Sequence, residues 1–506
     1  MQKKSNPYID YLYWALIVCL SILIRLPELL DPQILDGDEA LMGLMAKHQW
    51  EGKDVSKFFW GQRYGFTYLE TSAITLFYSI FGYGQFAVQS SMLLLWCLIM
   101  IGFYQLVKSY CGNPHLAFLL SLSFTALPAW YFWSIKARGG YLTSLLASTW
   151  LLYWMKRYHE RWASWLALGL LLPFIYYSQL LWIPGTVIVL LAGNWYKQVS
   201  LKKLLMAIGG FASSYWVLHY YSMQEIDFWN PRPISFDYIA QNISLFPERL
   251  LYHLGGNYFL GSSYTYHTLT YWSTLFFVAL LLVALSNAYL RWRNHKKIDW
   301  QSLLLLGASL SSWGFIFLST NDYHPRYVLP FSGFLFIWFA YQLNHYSIKM
   351  NWRHWSLGIV SFLFFMGASV LIKGEGRYRD RKNEIPAMEA AVAQLEKEGI
   401  HYVLSPFPEF HWQLMFYSGE KVISRYHYKV DRFLPYAYVV EAVFQKRKTF
   451  PLVMHSTFPF SKTKSKLEPL GGFWYMPEAD SMAFVELEFE GLYDERPPLN
   501  PRYWVK

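Results

Sequence analysis

Charged residues are scarce in this chain. Asp, Glu, Lys and Arg make up 15% of the 506 residues, whereas hydrophobic residues make up 54% and aromatic residues 20%. A soluble protein carries about 25% charged residues, so this shortage indicates that much of the surface faces something other than water. A high aromatic content is typical of bilayer interfaces. The composition therefore argues against an ordinary soluble protein and predicts one that spans a membrane.

Cysteine is also rare, and this bears on the classes of site to expect. Cys19, Cys97 and Cys111 lie in or beside apolar runs and lack metal-ligand spacing, so we expect no disulfide framework. The net charge of +10 could suggest nucleic acid as a partner. The basic residues fall between apolar segments rather than on one face or in one tail, however. We therefore expect membrane lipids, and no nucleic acid, as partners.

Apolar segments of spanning length recur almost to residue 372. Basic residues fall in every second loop, which the positive-inside rule places in the cytoplasm. The first span follows Lys3 and Lys4 without a small-residue cleavage site, so we expect an uncleaved anchor with a cytoplasmic N-terminus. About eleven spans are predicted, at 8–30, 87–107, 115–133, 140–155, 162–178, 180–195, 203–221, 269–290, 301–319, 327–345 and 355–372.

Two long loops are predicted on the extracytoplasmic side. The first, 31–86, contains an amphipathic helix at 40–50 and an interfacial helix at 66–81. A twelfth span at 66–81 would contain Glu70 and would invert every later loop against the charge rule. The second loop, 222–267, is too long for a simple connector, which is typical of functional loops.

The composition changes after residue 372, where a charged stretch begins. A helical pattern at 385–398 alternates with strand-like segments at 401–404, 421–424 and 451–455. This alternation predicts a small α/β domain over 373–506. Because the number of spans is odd and the N-terminus is cytoplasmic, this domain is expected on the extracytoplasmic side. The predicted fold is therefore an α-helical polytopic membrane domain, 1–372, with a C-terminal extracytoplasmic α/β domain.

Three carboxylates, Asp36, Asp38 and Glu39, directly follow the first span. Asp36 as N-cap with Glu39 three residues later is a capping-box pattern, and acidic residues suit the positive end of a helix. That interpretation leaves Asp38 without a role. At the boundary between water and membrane, Asp38 could act as a general base toward a hydroxyl or amine nucleophile. The two interpretations do not exclude each other.

Lys136 and Arg138 lie in a loop on the predicted outer side, where few cations are expected. Beside the Gly139-Gly140 helix start they would form a phosphate site from their charges and from free helix N–H groups. The alternative is ordinary anchoring of helix ends. Arg326 in another outer turn is either a second phosphate ligand or a snorkelling anchor. Glu70 is either solvent-facing or a second active-site acid.

These residues resemble a known family, the polytopic, lipid-carrier-dependent glycosyltransferases of the GT-C fold. The branch they look most like is related to protein O-mannosyltransferases and to the aminoarabinose transferases of lipid A. That family has an Asp-Glu pair at the start of its first outer loop, matched here by Asp38-Glu39. The resemblance covers roughly residues 8–372. Further matching stretches are Gly61-Gln62-Arg63-Tyr64, Leu69-Glu70, 136–141 and 326–330.

The resemblance implies inverting transfer of a hexosyl or pentosyl unit from a polyprenyl-phosphate carrier, such as undecaprenyl phosphate, to a protein, lipid or glycan. The reaction would occur at the outer face of a bacterial or archaeal plasma membrane. Asp38, with Glu39, would be catalytic, and the departing phosphate would be neutralised by basic residues. The aminoarabinose transferases have Glu-Lys-Pro-Pro where this chain has Glu70-Thr71-Ser72-Ala73, which weakens the match at Glu70. The phosphate ligands would be Lys136, Arg138 and Arg326, and the acceptor or sugar would be positioned by Asp36, Arg63, Glu70, Tyr141 and Tyr327.

A flippase for lipid-linked sugars is the main alternative, since about eleven helices with charges at the membrane edge would suit one. The nearly acid-free spans and the charges in the outer loops favour an enzyme. An inactive scaffold and a ligase for diphosphate-linked glycans are further alternatives. No cofactor is needed if the cations neutralise the phosphate, and a divalent metal ion in that role is the alternative. His219, His253 and His267 lack ligand spacing.

Overall fold

The protein is described here from a computed structural model. It describes residues 7–193, 195, 199–225, 235–244, 268–319, 325–344, 358–363, 366, 384–405, 407–426, 432–444, 451–455, 468–470 and 473–476. Most of the second predicted outer loop, much of the last predicted span and the C-terminal 30 or so residues lie outside these ranges. The described part is mainly helical, with a small sheet near its C-terminal end.

Helices occupy the first ten of the segments predicted as spans. Among the described residues, two helices, Pro7–Leu30 and Gln85–Cys111, are both long enough and apolar enough to cross a bilayer. The helices are α1 (Pro7–Leu30), α2 (Gly37–Trp50), α3 (Tyr68–Phe81), α4 (Gln85–Cys111), α5 (Pro114–Ala126), α6 (Pro128–Trp133), α7 (Tyr141–Tyr158), α8 (Trp162–Ser178), α9 (Ile183–Ala192), α10 (Leu201–Ser222), α11 (Phe236–Ser244), α12 (Thr268–His295), α13 (Trp300–Ser319) and α14 (Leu329–Asn344).

The predicted helix at 115–133 is broken into α5 and α6 at Pro128. Proline lacks the N–H that would continue the helix and suits the first turn of a new one. Arg25 of α1 binds on both sides of this break, donating to the carbonyls of Thr125 at 2.8 Å and Trp130 at 3.2 Å. Arg25 also donates to Ser134 at 2.5 Å. This buried guanidinium therefore fixes the chain just before the loop that carries Lys136.

Helix α2 differs from its prediction. The sequence predicts an amphipathic helix at 40–50, but nearly every side of α2 is buried, including Leu41, Met42 and Met45. The reason is that α2 lies between α3 and a helix from the C-terminal segment, so that its outer face is covered as well. Helix α3 buries one stripe, Glu70, Ile74 and Tyr78.

Helices and strands alternate in the described part of the chain after residue 384. The helix and three strands occur within two residues of their predicted starts, and two further antiparallel strands follow. The sheet has the order β2-β1-β3-β5-β4, in which β1 pairs in parallel with β2 and β3. Its elements are α15 (Glu384–Lys397), β1 (Tyr402–Ser405), α16 (Phe410–Tyr417), β2 (Ile423–Tyr426), α17 (Leu434–Phe444), β3 (Leu452–His455), β4 (Glu468–Leu470) and β5 (Phe473–Met476).

Two glycines of α2 allow α16 to pack closely. A Cβ on Gly37 would lie 2.6 Å from the Cα of Glu409, and a Cβ on Gly43 would lie 2.3 Å from the ring of Phe416. Any larger side chain at these positions would push the two helices apart. The C-terminal α/β segment therefore packs directly on the helix that carries the acidic cluster.

Candidate active site

The acidic cluster begins with the predicted capping box, which the structure confirms. Asp36 is the N-cap of α2, and its Oδ1 accepts from the backbone N–H of Glu39 at 3.1 Å. In return, Oε2 of Glu39 accepts from the backbone N–H of Asp36 at 3.1 Å. Both carboxylates are buried, with 2% and 3% of their side chains exposed, whereas Asp38 is 30% exposed. Asp38 is therefore the carboxylate of the three that a substrate can reach.

The loop before α7 brings two cations onto this cap. Lys136 Nζ donates to Oδ2 of Asp36 and to Oε2 of Glu39, each at 2.9 Å. Arg138 binds the same Oδ2 of Asp36 through Nε at 3.1 Å and also through Nη2. Charge-assisted hydrogen bonds of this kind are roughly twice as strong as neutral ones. The acidic cluster and the basic loop thus form one unit, about 100 residues apart in sequence.

The two capping carboxyls have pKa values shifted in opposite directions. Burial alone raises the pKa of Asp36, but Arg138 and Lys136 outweigh it and hold that pKa well below its usual range. Burial raises the pKa of Glu39 to about 7, despite the attraction of Lys136. Oε1 of Glu39 is buried and accepts no hydrogen bond within the described part of the chain. Of the two capping carboxyls, Glu39 therefore has the higher pKa, and Asp36 is the one that the cations keep ionised.

Asp38 faces three arginines. Its Oδ2 lies 3.5 Å from Nη1 of Arg138 and 3.8 Å from Nη1 of Arg326, and its Oδ1 lies 3.4 Å from Nη1 of Arg432. These separations exceed an ordinary hydrogen bond. A ligand oxygen can therefore approach these guanidinium groups without breaking a tight pair with Asp38.

Among the residues that the structure describes, the cations of this cluster outnumber the carboxylates. Its members are three carboxylates (Asp36, Asp38 and Glu39) and four cations (Lys136, Arg138, Arg326 and Arg432), linked by ion pairs. The balance is one positive charge, and it approaches two when Glu39 is protonated. A half-buried site with surplus arginine donors is suited to bind a phosphate, whose geometry matches the guanidinium fork.

Glu70 corrects part of the sequence interpretation. The N–H groups at the start of α7 were expected to be free for an anion, but Glu70 accepts from the N–H groups of Gly140 and Thr143, each at 3.2 Å. Gly140 has φ of 85°, which favours glycine. Glu70 is also buried, which raises its pKa to about 7, although the N–H groups of Thr143 and Gly140 act against the shift. A phosphate bound here would therefore depend on the side-chain cations.

The remaining predicted residues lie at different distances from the cluster. Tyr141 is buried at the start of α7, and Arg326 lies over the ring of Tyr327, 5.4 Å from its centroid. Arg63 instead donates to the backbone carbonyl of Glu225 at 3.2 Å, at the end of α10. Tyr141 and Tyr327 thus flank the cations, while Arg63 joins the first outer loop to α10.

Sequence reasoning missed two residues of the C-terminal segment. Arg432 reaches Asp38, and Glu420 binds Lys47 and His48 of α2. No local spacing could have indicated either contact, because both join positions that are hundreds of residues apart. Within the described ranges, no three or more His, Cys, Asp or Glu side chains are grouped to hold a metal ion.

Comparisons with known proteins identify the fold. The chain matches the crystal structure of ArnT from Cupriavidus metallidurans in the apo state with a TM-score of 0.57 and 11% identity, covering 92% of this chain and 98% of that one. It matches the same protein bound to undecaprenyl phosphate with a TM-score of 0.55 and 13% identity, covering 91% of this chain and 97% of that one. The archaeal oligosaccharyltransferase AglB from Archaeoglobus fulgidus aligns with a TM-score of 0.47 and 10% identity, covering 89% of this chain and 70% of that one. No family model and no curated protein matches the sequence.

The class of protein defined by the two ArnT matches is one with the GT-C fold. Within that class the chain has the fold of the aminoarabinose transferase ArnT, over nearly the full length of both chains. The fold predicted from the sequence resemblance is thereby confirmed.

Proposed function

We propose that this protein is an inverting glycosyltransferase that moves a sugar from a polyprenyl-phosphate carrier to an acceptor at the extracytoplasmic membrane face. The observation that carries the proposal is the position of Asp38, a partly exposed carboxylate faced by three arginines. Transfer of a sugar from a phosphate leaving group requires a base for the acceptor and cations for the departing phosphate. The ArnT fold, one of whose structures is bound to undecaprenyl phosphate, supports the same chemistry.

A membrane location is supported by the exposed surface of α10. Leu204, Ile208, Trp216 and Val217 are all exposed on this one helix. Apolar surface of this extent indicates a lipid or protein partner rather than water. Exposed Leu76, Ile80 and Phe81 on α3 suit a helix lying in the outer interface.

We infer about eleven spans. The acidic cluster then lies on the extracytoplasmic side of the membrane, because the basic loops are cytoplasmic. We also propose the division into a membrane domain, 1–372, and an α/β domain, 373–506. Contact of α16 with α2 supports placing that α/β segment on the same side of the membrane as the cluster. The acceptor, which could be a protein, a lipid or a glycan, would approach between the membrane domain and the α/β domain.

In the proposed reaction, Asp38 takes the proton of the acceptor hydroxyl or amine as the nucleophile attacks the anomeric carbon. The bond between that carbon and the phosphate oxygen breaks on the opposite side, and its electron pair leaves with the phosphate. Arg138 and Arg326 stabilise the charge that grows on the departing oxygens. The anomeric configuration is inverted because attack and departure occur on opposite faces.

The buried residues have supporting roles in this proposal. Asp36 holds Lys136 and Arg138, and Glu39 fixes the start of α2, so that Asp38 is presented to the substrate. Tyr141 and Tyr327, which flank Arg326, are proposed to position the sugar. Arg63 and Glu70 are proposed to act at longer range, by holding the outer loop and α7 in place.

The experiment that tests this function is donor turnover by the purified full chain in detergent. A panel of undecaprenyl-phosphate hexoses and pentoses is supplied, and release of free undecaprenyl phosphate is measured. We expect release from at least one donor. If no donor is consumed and lipid-linked sugar instead crosses a vesicle membrane that contains the protein, the enzyme proposal is wrong and a flippase is favoured.

A further inference from the structure

Arg432 lies in the C-terminal segment but reaches the cluster on α2. Its Nη1 is 3.4 Å from Oδ1 of Asp38, whereas the ion pairs of Arg138 and Arg326 with this residue are to Oδ2. Its side chain is 36% exposed, more than the 14% of Arg138 and the 25% of Arg326. Of these three arginines, Arg432 therefore has the most surface left to contact a ligand.

Aromatic stacking fixes Arg432 in this position. The neighbouring ring of Phe433 stacks on Trp60 of the first outer loop, with centroids 4.0 Å apart and planes 16° apart. The guanidinium of Arg432 itself lies over the ring of Phe59, 4.9 Å from its centroid. Offset stacking and cation–π contacts are both attractive. These contacts hold the C-terminal segment against the outer loop at the point where Arg432 faces Asp38.

A second contact strengthens this docking. Tyr436 packs edge-on against Phe433, with centroids 4.8 Å apart, and its hydroxyl lies 3.0 Å from Nε2 of His48 on α2. The segment that carries Arg432 therefore contacts the first outer loop at two places, at Trp60 and at His48 of α2. Movement of Arg432 away from Asp38 would require both contacts to break.

We infer that Arg432 is a ligand of the donor phosphate, supplied to the site by the C-terminal segment. The inference rests on the proposed function, because it assumes that the surplus cations of this cluster bind a phosphate. With Arg432 the guanidinium groups face both oxygens of Asp38, so a phosphate beside that carboxylate can be bound from two sides. The C-terminal segment is then part of the substrate site rather than an appended unit.

The test is binding of undecaprenyl phosphate and of undecaprenol, the same lipid without phosphate, to the purified full chain. Wild type is compared with Arg432→Ala and Arg432→Lys. Lys421→Ala is the matched control, because Lys421 lies in the same segment, is 66% exposed and pairs with Glu396 at 3.2 Å. Thermal unfolding of each variant in the same detergent verifies that the chain is folded.

We expect Arg432→Ala to weaken undecaprenyl phosphate binding by about 10- to 100-fold, which is the effect of losing a hydrogen bond to a charged group. Binding of undecaprenol should stay within twofold, and Lys421→Ala should match wild type for both lipids. Arg432→Lys keeps the charge but loses the planar fork, so an intermediate loss is expected. A purely structural role would weaken both lipids together.

Two results overturn the inference, and they differ in what they say of the function. If wild type prefers the phosphate and Arg432→Ala keeps that preference, Arg432 is not a ligand and the proposed function survives. If wild type binds undecaprenol as tightly as undecaprenyl phosphate, the cluster is not a phosphate site, and the inference and the proposed function are both wrong.

Discussion

Glu420 is the residue at which the docking of the C-terminal segment can be measured. It accepts from His48 Nε2 at 2.6 Å and binds Lys47 of α2 and the hydroxyl of Tyr436. Burial alone raises the pKa of Glu420, but His48 and Lys47 outweigh it, and the pKa falls from 4.5 to about 2. The carboxylate thus favours the docked state only while it is charged.

The magnitude follows from this shift. A fall from 4.5 to about 2 corresponds to about 3 kcal/mol, since one pKa unit is worth about 1.4 kcal/mol. Because the pKa is lower in the folded state, the stabilisation is complete above pH 4.5 and is lost as the pH falls toward 2. We therefore expect Glu420→Gln to destabilise the docked segment by up to about 3 kcal/mol above pH 4.5 and by little near pH 2.

Hydrogen exchange of the amides of α16 and β2 measures this free energy, once rates are corrected for their intrinsic dependence on pH. Glu396→Gln is the matched control, because Glu396 pairs with an exposed lysine, and such pairs contribute little. The reasoning is refuted if the difference between wild type and Glu420→Gln stays constant from pH 7 to pH 2.5. It is equally refuted if the control shows the same dependence on pH.

Three further predictions concern the framework of the site. Gly37→Ala, whose Cβ would meet the backbone of Glu409 at 2.6 Å, should lower the free energy of unfolding by about 1–3 kcal/mol, whereas Gly209→Ala, which has open space, should not. Glu70→Ala leaves the N–H groups of α7 without their acceptor and should cost about 1–3 kcal/mol in thermal unfolding, and an unchanged midpoint would contradict this. Burial raises the pKa of Glu39 from 4.5 to about 7, so wild-type stability should fall as the pH rises between these values, and Glu39→Gln should remove that part of the fall.

Local features of the site could be predicted from the sequence, and long-range features could not. The capping box of Asp36 and Glu39 follows from spacing alone, as do the positions of most helices and of the first three strands. The pairing of Lys136 with that box, and the approach of Arg432, depend on how distant elements pack, which periodicity does not encode. The N–H groups at the start of α7 were expected to be free for the same reason, because their acceptor, Glu70, lies about 70 residues away in sequence.

The burial of α2 shows why pattern alone was insufficient there. A helix in an outer loop is expected to keep one face in water, and the sequence of α2 was read in that way. Cover by α16 removes that face from water, and Gly37 and Gly43 make the close approach possible. A small residue in a helix can thus indicate an unseen neighbour, but it does not say which one.

The central claim is that Asp38 is the base of a transferase, and one comparison tests it most directly. Asp38→Asn is compared with Asp54→Asn, the same change at an exposed carboxylate of the same outer loop. Release of undecaprenyl phosphate and the affinity for the donor are measured for both variants. The account predicts that Asp38→Asn loses at least about 100-fold in turnover, as expected for a lost general base, while it still binds donor, and that Asp54→Asn matches wild type. Turnover by Asp38→Asn at the wild-type rate would contradict it.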